Sequence, residues 1–461
     1  MRKITDLIVQ NKNLVYYDIN RDKTLKIEEF KFHEVFFSSQ EKRLVFHYPD
    51  NSLDSVETFW ALMKSPHAIA MLSPQLNPEF KIQLEELYKP YYIWDPVRSD
   101  IPGYSKKTLD SKYIFEINKA ENRSIHPELK ILLSTSGTTG SPKFVKLSES
   151  NLVENALSIC DYLPIVSEDC TPLNLPMYYS YGLSLLTTNS INGGKIICSV
   201  KDILNREFWN EFEKLKFTSL AGVPYLYEVL NRIGFTKKQY PSLRYLTQAG
   251  GKLNTSLVEI FEKYGSENNV KFYVMYGATE ATARMSYMPA DHLKQKLGSI
   301  GMAIKNGKFI IDTETGELIY SGPNVFGGYA VAPDDLVVFE KIGQLHTGDI
   351  AQMDSDGFYY ITGRLKRFVK LFGQRVNLDE VETRLKTAFG GKTFVCVGIN
   401  DKYIAVTVNE KAVSKEEVET YIHQNLDIHP NFIMFHYLEK IPLTQNGKVD
   451  YTVIIAMYAT E

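Results

Sequence analysis

Residues 133–143 read Leu-Ser-Thr-Ser-Gly-Thr-Thr-Gly-Ser-Pro-Lys. Five hydroxyl side chains crowd between Thr135 and Ser141, Gly137 and Gly140 lie among them, and Lys143 stands just beyond. Glycines let backbone N–H groups approach an oxyanion, hydroxyls add donors, and a lysine supplies a point charge. The run therefore reads as a cradle for phosphate. It lacks the G-x-x-x-x-G-K-[ST] spacing of a Walker loop. A β-type run, Phe144-Val145-Lys146-Leu147, follows where a Walker loop would open a helix. A Ser/Thr/Gly linker has a similar composition, but apolar strands on both sides argue for a loop anchored in a sheet.

The chain of 461 residues is too long for one ordinary core, so two or three domains are expected. A net charge of -3 provides no polybasic footprint for nucleic acid. The four cysteines (Cys160, Cys170, Cys198, Cys396) form no C-x-x-C pair and have no histidine cluster beside them. That disfavours a zinc site or a disulfide framework and fits a reducing cytoplasmic compartment. The N-terminal apolar stretch ending at Gln10 is too short for a signal peptide, and no apolar run is long enough to span a membrane.

Strand-like and helix-like stretches alternate through the first three hundred or so residues. Ile131–Ser134 and Phe144–Leu147 read as strands flanking the loop, and Ser148–Ile159 as an amphipathic helix. Lys195–Val200 and Thr218–Val223 read as strands, and Phe208–Phe217 as a helix. This alternation predicts an α/β domain with a largely parallel sheet. From Phe309 the texture changes to short strands and tight turns, a β subdomain ending near Gly363. Beyond it, helices at Asp379–Ala388 and Ser414–Leu426 alternate with strands at Thr393–Ile399, Tyr403–Val408 and Ile433–Tyr437. The expectation is a large N-terminal domain over 1–363 and a small mobile α+β domain over 364–461, a normal size for a small domain.

Several further segments stand in a recognisable order. Tyr276-Gly277-Ala278-Thr279-Glu280 joins an aromatic face, a hydroxyl and a carboxylate, the last suited to a hard cation such as Mg²⁺. His346-Thr347-Gly348-Asp349 ends on an aspartate that could accept two vicinal hydroxyls. Gly363-Arg364-Leu365-Lys366-Arg367 leads into Lys370-Leu371-Phe372-Gly373-Gln374-Arg375-Val376-Asn377. Pro442-Leu443-Thr444-Gln445-Asn446-Gly447-Lys448 places a lysine in a turn near the C-terminus. Each has a bland reading: a solvated acid, a turn aspartate, a basic surface strand, a surface lysine.

Together with the 133–143 loop, these segments resemble the AMP-forming adenylating enzymes, which include acyl- and aryl-CoA synthetases, peptide-synthetase adenylation domains and luciferases. The resemblance spans roughly residues 130–450, and the first 120 residues match poorly. It implies that Thr135, Ser136, Gly137, Thr138, Thr139, Gly140 and Lys143 hold the ATP phosphates. Tyr276 and Gly277 would lie at the adenine, Thr279 at the α-phosphate and Glu280 on Mg²⁺. Asp349 would take the ribose, and Arg364 the ribose or phosphate. Lys448 would be the catalytic lysine, Lys366 the pivot, and Gly373 with Arg375 the lining of a pantetheine tunnel. Gln248-Ala249-Gly250-Gly251 resembles the glycine pair beneath the adenine. With Tyr179, Tyr181 and Val223, that pair would shape the acid pocket.

Two departures stand out. Phe144 replaces the glycine that usually follows Pro-Lys, which would stiffen the loop exit. In Pro176-Met177-Tyr178-Tyr179-Ser180-Tyr181-Gly182, Tyr179 replaces the family's histidine. No aspartate stands in 176–184 to hold an α-ammonium group, and a buried ammonium without a partner is costly. The implied activity is ATP-dependent ligation of a small carboxylic acid without an α-amino group to a pantetheine thiol, of CoA or of a carrier protein. A free-standing amino-acid adenylating enzyme and a non-catalytic nucleotide-binding descendant are the alternatives.

Overall fold

The computed structural model describes residues 2–30, 37, 41–109, 112–120, 123–134, 143–371, 374–399, 402–409, 413–426, 428–444 and 448–458. Packing divides the chain into two compact units. The larger runs to residue 308 and takes back residues 321–345; the smaller holds residues 309–320 and those from 346 onward. The fold is mixed α/β, with a large N-terminal unit and a smaller C-terminal one.

Among the described residues, the larger unit carries three sheets. In an eight-stranded one, the order is Tyr329–Ala330, Phe144–Ser148, Leu129–Ser134, Ala68–Met71, Leu44–His47, Tyr92–Trp94, Lys112–Ile117, Tyr104–Leu109. Its four central strands pair in parallel, and the outer ones are antiparallel. A five-stranded sheet begins with three parallel strands, Ser219–Gly222, Tyr245–Gln248 and Lys271–Tyr276, and ends in two short antiparallel ones. The expectation of a largely parallel sheet is thus corrected to mixed sheets. Hairpins add antiparallel strands to parallel centres, because a short connection can only reverse the chain. Strand ends at Ser134, Gln248 and Tyr276 lead directly into three of the motifs, and carboxyl ends of parallel strands are where such sheets hold ligands.

Local chemistry explains the elements. Helix Glu149–Tyr162 starts at Ser148, whose hydroxyl and backbone N–H exchange hydrogen bonds with Asn151. It buries Leu152, Val153, Ala156 and Ile159 on one face. Helix Ser180–Asn192 was not legible in the sequence, being rich in hydroxyls that favour turns. In the fold, those groups bond within the helix: Thr188 Oγ1 donates to the Ser184 carbonyl and Ser190 Oγ to that of Leu186.

The smaller unit begins with an antiparallel sheet of Lys308–Ile311, Glu317–Ser321, Leu345–Met353 and Tyr359–Arg364. A hairpin follows, Phe368–Leu371 with Gln374–Asn377, then a three-stranded sheet of Phe394–Ile399, Tyr403–Val408 and Ile433–Tyr437. Helix Leu378–Ala388 packs on strand Tyr359–Arg364, and Asn377 Nδ2 donates to the Thr362 carbonyl at 3.3 Å. These contacts group the β subdomain with the C-terminal residues, so the packing division falls elsewhere than the 363/364 joint read from sequence texture. Among the described residues no helix is long and apolar enough to cross a membrane, and no group of three or more His, Cys, Asp or Glu could cage a metal ion. All four cysteines are free.

Candidate active site

The strand leaving the phosphate-loop segment sets the first part of the site. The loop residues Thr135, Ser136, Gly137, Thr138, Thr139 and Gly140 lie outside the described residues, and the description resumes at Lys143. Phe144 is fully buried, its ring edge-on to Tyr88 at 5.4 Å, so this departure from the family pattern is a core residue. The short strand Tyr329–Ala330 pairs antiparallel with Val145 and Phe144. That register brings Tyr329 beside Lys143, whose Nζ sits 3.3 Å from the Tyr329 ring centroid.

The Tyr329 hydroxyl donates to Glu280 Oε1 at 2.9 Å, and Phe326 N–H donates to the Glu280 carbonyl at 2.9 Å. Burial, and after it the charge of Glu280, push the Tyr329 phenol well above its usual value, so it remains a donor. Thr279 Oγ1 lies 3.4 Å from Ser180 Oγ. Lys143, Tyr329, Glu280, Thr279 and Ser180 thus form one connected group. Sequence reasoning gave Tyr329 and Ser180 no role.

The turn after strand Lys271–Tyr276 is tightly folded. A Cβ on Gly277 would meet the Ala283 carbonyl oxygen at 2.0 Å, so only glycine lets residues 283–284 fold back against it. Thr282 and Ala283 both have positive φ, 58° and 116°, a strained pair that turns the chain toward Arg284. Tyr276 is half-buried at the strand end.

The expected pocket residues divide between two places. Gly250 has φ 87°, and a Cβ there would lie 2.7 Å from Tyr179 Oη and 3.2 Å from Val223 Cγ1, so these three adjoin. Gly251 packs on Pro224 and its carbonyl accepts from Gln248 Nε2 at 2.8 Å. Tyr181 is buried, donating to Thr247 Oγ1 at 2.8 Å. Against its ring stacks Arg284, guanidinium carbon to centroid 4.0 Å. Arg284 is only 3% exposed. Its Nε donates to Met275 Sδ at 3.4 Å and Nη1 to the Ala283 carbonyl at 3.1 Å, and it makes no ion pair among the described residues. Desolvating a cation costs on the order of several kcal/mol, and a cation–π contact returns about 2 kcal/mol at best. The sequence gave Arg284 no role.

Asp349 and Arg364 meet in the smaller unit. They are opposed in the antiparallel register, and Arg364 Nε donates to Asp349 Oδ1 at 2.9 Å. Asp349 is buried and Arg364 exposed. His346 pairs with Glu317 at 2.8 Å. Arg367, next to Lys366, is half-buried: Nε donates to Asp379 Oδ1 at 2.8 Å, Nη2 to Glu382 Oε1 at 2.6 Å and Nη1 to the Cys396 carbonyl at 2.6 Å. Gly373 lies outside the described residues, and Arg375 is placed only as part of a strand. Lys448 is exposed at one side of a turn closed by Leu443 and Val449, where its carbonyl accepts from Thr444 N–H at 2.7 Å.

A cavity of about 520 Å³ is lined by residues such as Asp18, Asp50, Asp54 and Trp94, and none of the motif residues borders it. Its Asp18 is already held by the N–H groups of Asn20, Arg21 and Leu53.

The fold is that of an α/β protein in which three of the motifs follow strand ends at Ser134, Gln248 and Tyr276. The AMP-binding enzyme family matches residues 40–330, and the chain belongs to that family. The resemblance read from the motifs is therefore borne out. An oxalate–CoA ligase of Arabidopsis thaliana is 27% identical over 350 residues, covering 71% of this chain and 68% of that protein. A 2-succinylbenzoate–CoA ligase of Bacillus cereus strain AH820 is 28% identical over 418 residues, covering 87% and 85%. Among solved structures, ATP-bound MatB from Rhodopseudomonas palustris matches with a TM-score of 0.77 at 18% identity over 99% of both chains, a likeness of fold.

Proposed function

We propose that this protein is an ATP-dependent acid–thiol ligase. A small carboxylate attacks the α-phosphate of ATP, pyrophosphate leaves, and an acyl-adenylate forms; a pantetheine thiol then takes the acyl group and AMP departs. The observation that carries this reading is the connected Lys143–Tyr329–Glu280 group beside Thr279. It sets one cation and one carboxylate at the exit of the phosphate-loop segment, as phosphoryl chemistry requires.

Lys143 and the 135–141 loop would hold the departing phosphates. Thr279 would donate to the α-phosphate, and Tyr329 would fix the carboxylate of Glu280. Mg²⁺ fits a site with one carboxylate and no protein cage, because it keeps waters and takes its other oxygens from phosphates. When bound, it would neutralise charge on the phosphate oxygens. Tyr276, Asp349 and Arg364 are proposed for the nucleoside. Lys448 is proposed as the cation for the pentavalent transition state, where oxygen charge is greatest. Lys366 is the proposed pivot of a joint at 363/364 that withdraws Lys448 and brings the Gly373 and Arg375 segment to the thiol.

CoA is the favoured acceptor, since the oxalate and 2-succinylbenzoate enzymes are named as CoA ligases. A carrier-protein thiol is the second acceptor. Tyr179 supports an acid without an α-amino group, as it offers no charge to an ammonium. Four free cysteines suit a cytoplasmic location. The test is acid-dependent ATP–pyrophosphate exchange over a panel of aryl, aliphatic, hydroxy and amino acids, with Lys448→Ala alongside. Exchange with a non-amino acid, lost in the variant, is expected. Exchange only with α-amino acids would reverse the acid assignment, and exchange with none would favour a nucleotide-binding descendant.

A further inference from the structure

The guanidinium of Arg284 is buried and incompletely satisfied. An arginine has five N–H donors. Here two are engaged, one by a thioether sulfur and one by the carbonyl of the strained neighbour Ala283. Sulfur is a weak acceptor, and no carboxylate pairs with this side chain among the described residues. The crevice that Arg284 lines is narrow, about 20 Å³, and includes Tyr181, Ser184, Thr188, Tyr245 and Met275. A buried cation with three of its five donors unused thus faces one small space.

This space adjoins the proposed acid pocket. Tyr181, Met275, Tyr245, Tyr179 and Val223 belong to one cluster of packed side chains. The Arg284 charge is felt by the phenols of both Tyr179 and Tyr181. An acid entering past Tyr179 and Gly250 would therefore point its far end toward a desolvated cation. A long alkyl tail or an unsubstituted ring would leave that charge unpaired, and an ammonium group would be repelled. An anionic group would complete it with charge-assisted, bidentate hydrogen bonds.

We propose that the substrate is a short acid carrying a second carboxylate, and that Arg284 receives this second carboxylate while the first is adenylated. The proposal rests on the ligase reading above. Arg284 would act as a specificity-determining residue and take no part in the chemistry.

The experiment is ATP–pyrophosphate exchange with matched acids: succinate against butyrate, glutarate against pentanoate, and terephthalate against 4-methylbenzoate. The wild type, Arg284→Met and Arg284→Lys are compared. The wild type should prefer the best diacid by about 30-fold or more in kcat/KM, the scale of a desolvated charge pair. Arg284→Met should abolish or invert the preference through KM, and Arg284→Lys should keep part of it. A wild type that prefers monoacids, or an Arg284→Met that lowers both classes equally, overturns the proposal. Should Arg284→Met fail to fold, the wild-type preference and the lysine variant still decide. If no acid supports exchange, the ligase reading falls by itself. Calorimetric titration of succinate and glutarate then decides Arg284: binding lost in the lysine or methionine variant sustains it, and no binding to the wild type overturns it.

Discussion

Tyr329 reaches Glu280 with its hydroxyl, 2.9 Å from Oε1, while its ring face carries Lys143 at 3.3 Å. One side chain thus orients the carboxylate proposed for the metal and the cation proposed for the phosphates. Tyr329→Phe keeps the ring and removes the hydroxyl. A hydrogen bond to a charged group contributes about 1.5–3 kcal/mol, so kcat/KM for pyrophosphate exchange should fall about tenfold or more. The dependence on Mg²⁺ concentration should move upward as well. An unchanged Mg²⁺ dependence would mean that the Tyr329 hydroxyl is only packing.

The sequence made the chemistry legible wherever the motif residues are contiguous. Tyr276–Glu280 was readable because it joins a strand end to the turn that follows it, and His346–Asp349 because its four residues are contiguous within one strand. The helix at 149–162 was readable from the apolar spacing of Leu152, Ala156 and Ile159. Tyr329 was not, because its partners are 49 residues away at Glu280 and, through strand pairing, at Lys143. Arg284 was missed for a different reason. A lone arginine in sequence reads as a solvated charge, and only the backward fold over Gly277 buries it. The hydroxyl-rich helix 180–192 escaped because its hydroxyls bond to its own carbonyls, which no apolar pattern reveals.

Gly277 and Gly250 should separate folding from binding. A Cβ at Gly277 would strike backbone, the Ala283 carbonyl at 2.0 Å, which cannot move without unmaking the turn. Gly277→Ala should cost about 3 kcal/mol or more in denaturant unfolding, at the upper end of overpacking. At Gly250 the obstacle is mainly Tyr179 Oη at 2.7 Å, the far end of a side chain, together with φ 87°. Gly250→Ala should cost about 1–2 kcal/mol, the strain of a left-handed residue. It should raise KM for the acid far more than KM for ATP. Equal losses in both KM values would remove Tyr179 and Gly250 from the acid pocket.

Arg367 anchors the start of the C-terminal segment by binding Asp379, Glu382 and the Cys396 carbonyl at once, with Tyr451 stacked on it at 4.1 Å. Burial pushes the Glu382 carboxyl up to about 6 even with Arg367 beside it. Removing the arginine leaves that acid buried without a counter-charge. Arg367→Met should destabilise the smaller unit by about 3–5 kcal/mol, and adding Glu382→Gln should recover part of the loss. Strict additivity of the two substitutions in urea unfolding would show that the pair is not coupled.

His67 should set much of the acid sensitivity of the larger unit. It is fully buried, its Nδ1 accepts the Arg43 N–H at 3.2 Å, and its Nε2 has no partner. Lys130 Nζ lies against the same turn, donating to the carbonyls of Leu62, Ser65 and His67 at 2.8, 2.6 and 3.2 Å. Burial first, then the charges of Lys130, Arg43 and Lys42, hold the His67 imidazole down at about 4, below its usual value of 6.5. The folded state therefore keeps His67 neutral where the unfolded chain protonates it. Its contribution to stability is complete above pH 6.5 or so and is lost as pH falls toward 4. Linkage puts the loss between pH 7.5 and 5.0 at about 2 kcal/mol. His67→Asn keeps an acceptor for Arg43 and removes the titration, so its unfolding free energy should fall by about 2 kcal/mol less than that of the wild type over this interval. If urea titrations at the two pH values show the same fall in both proteins, the acid sensitivity comes from another group.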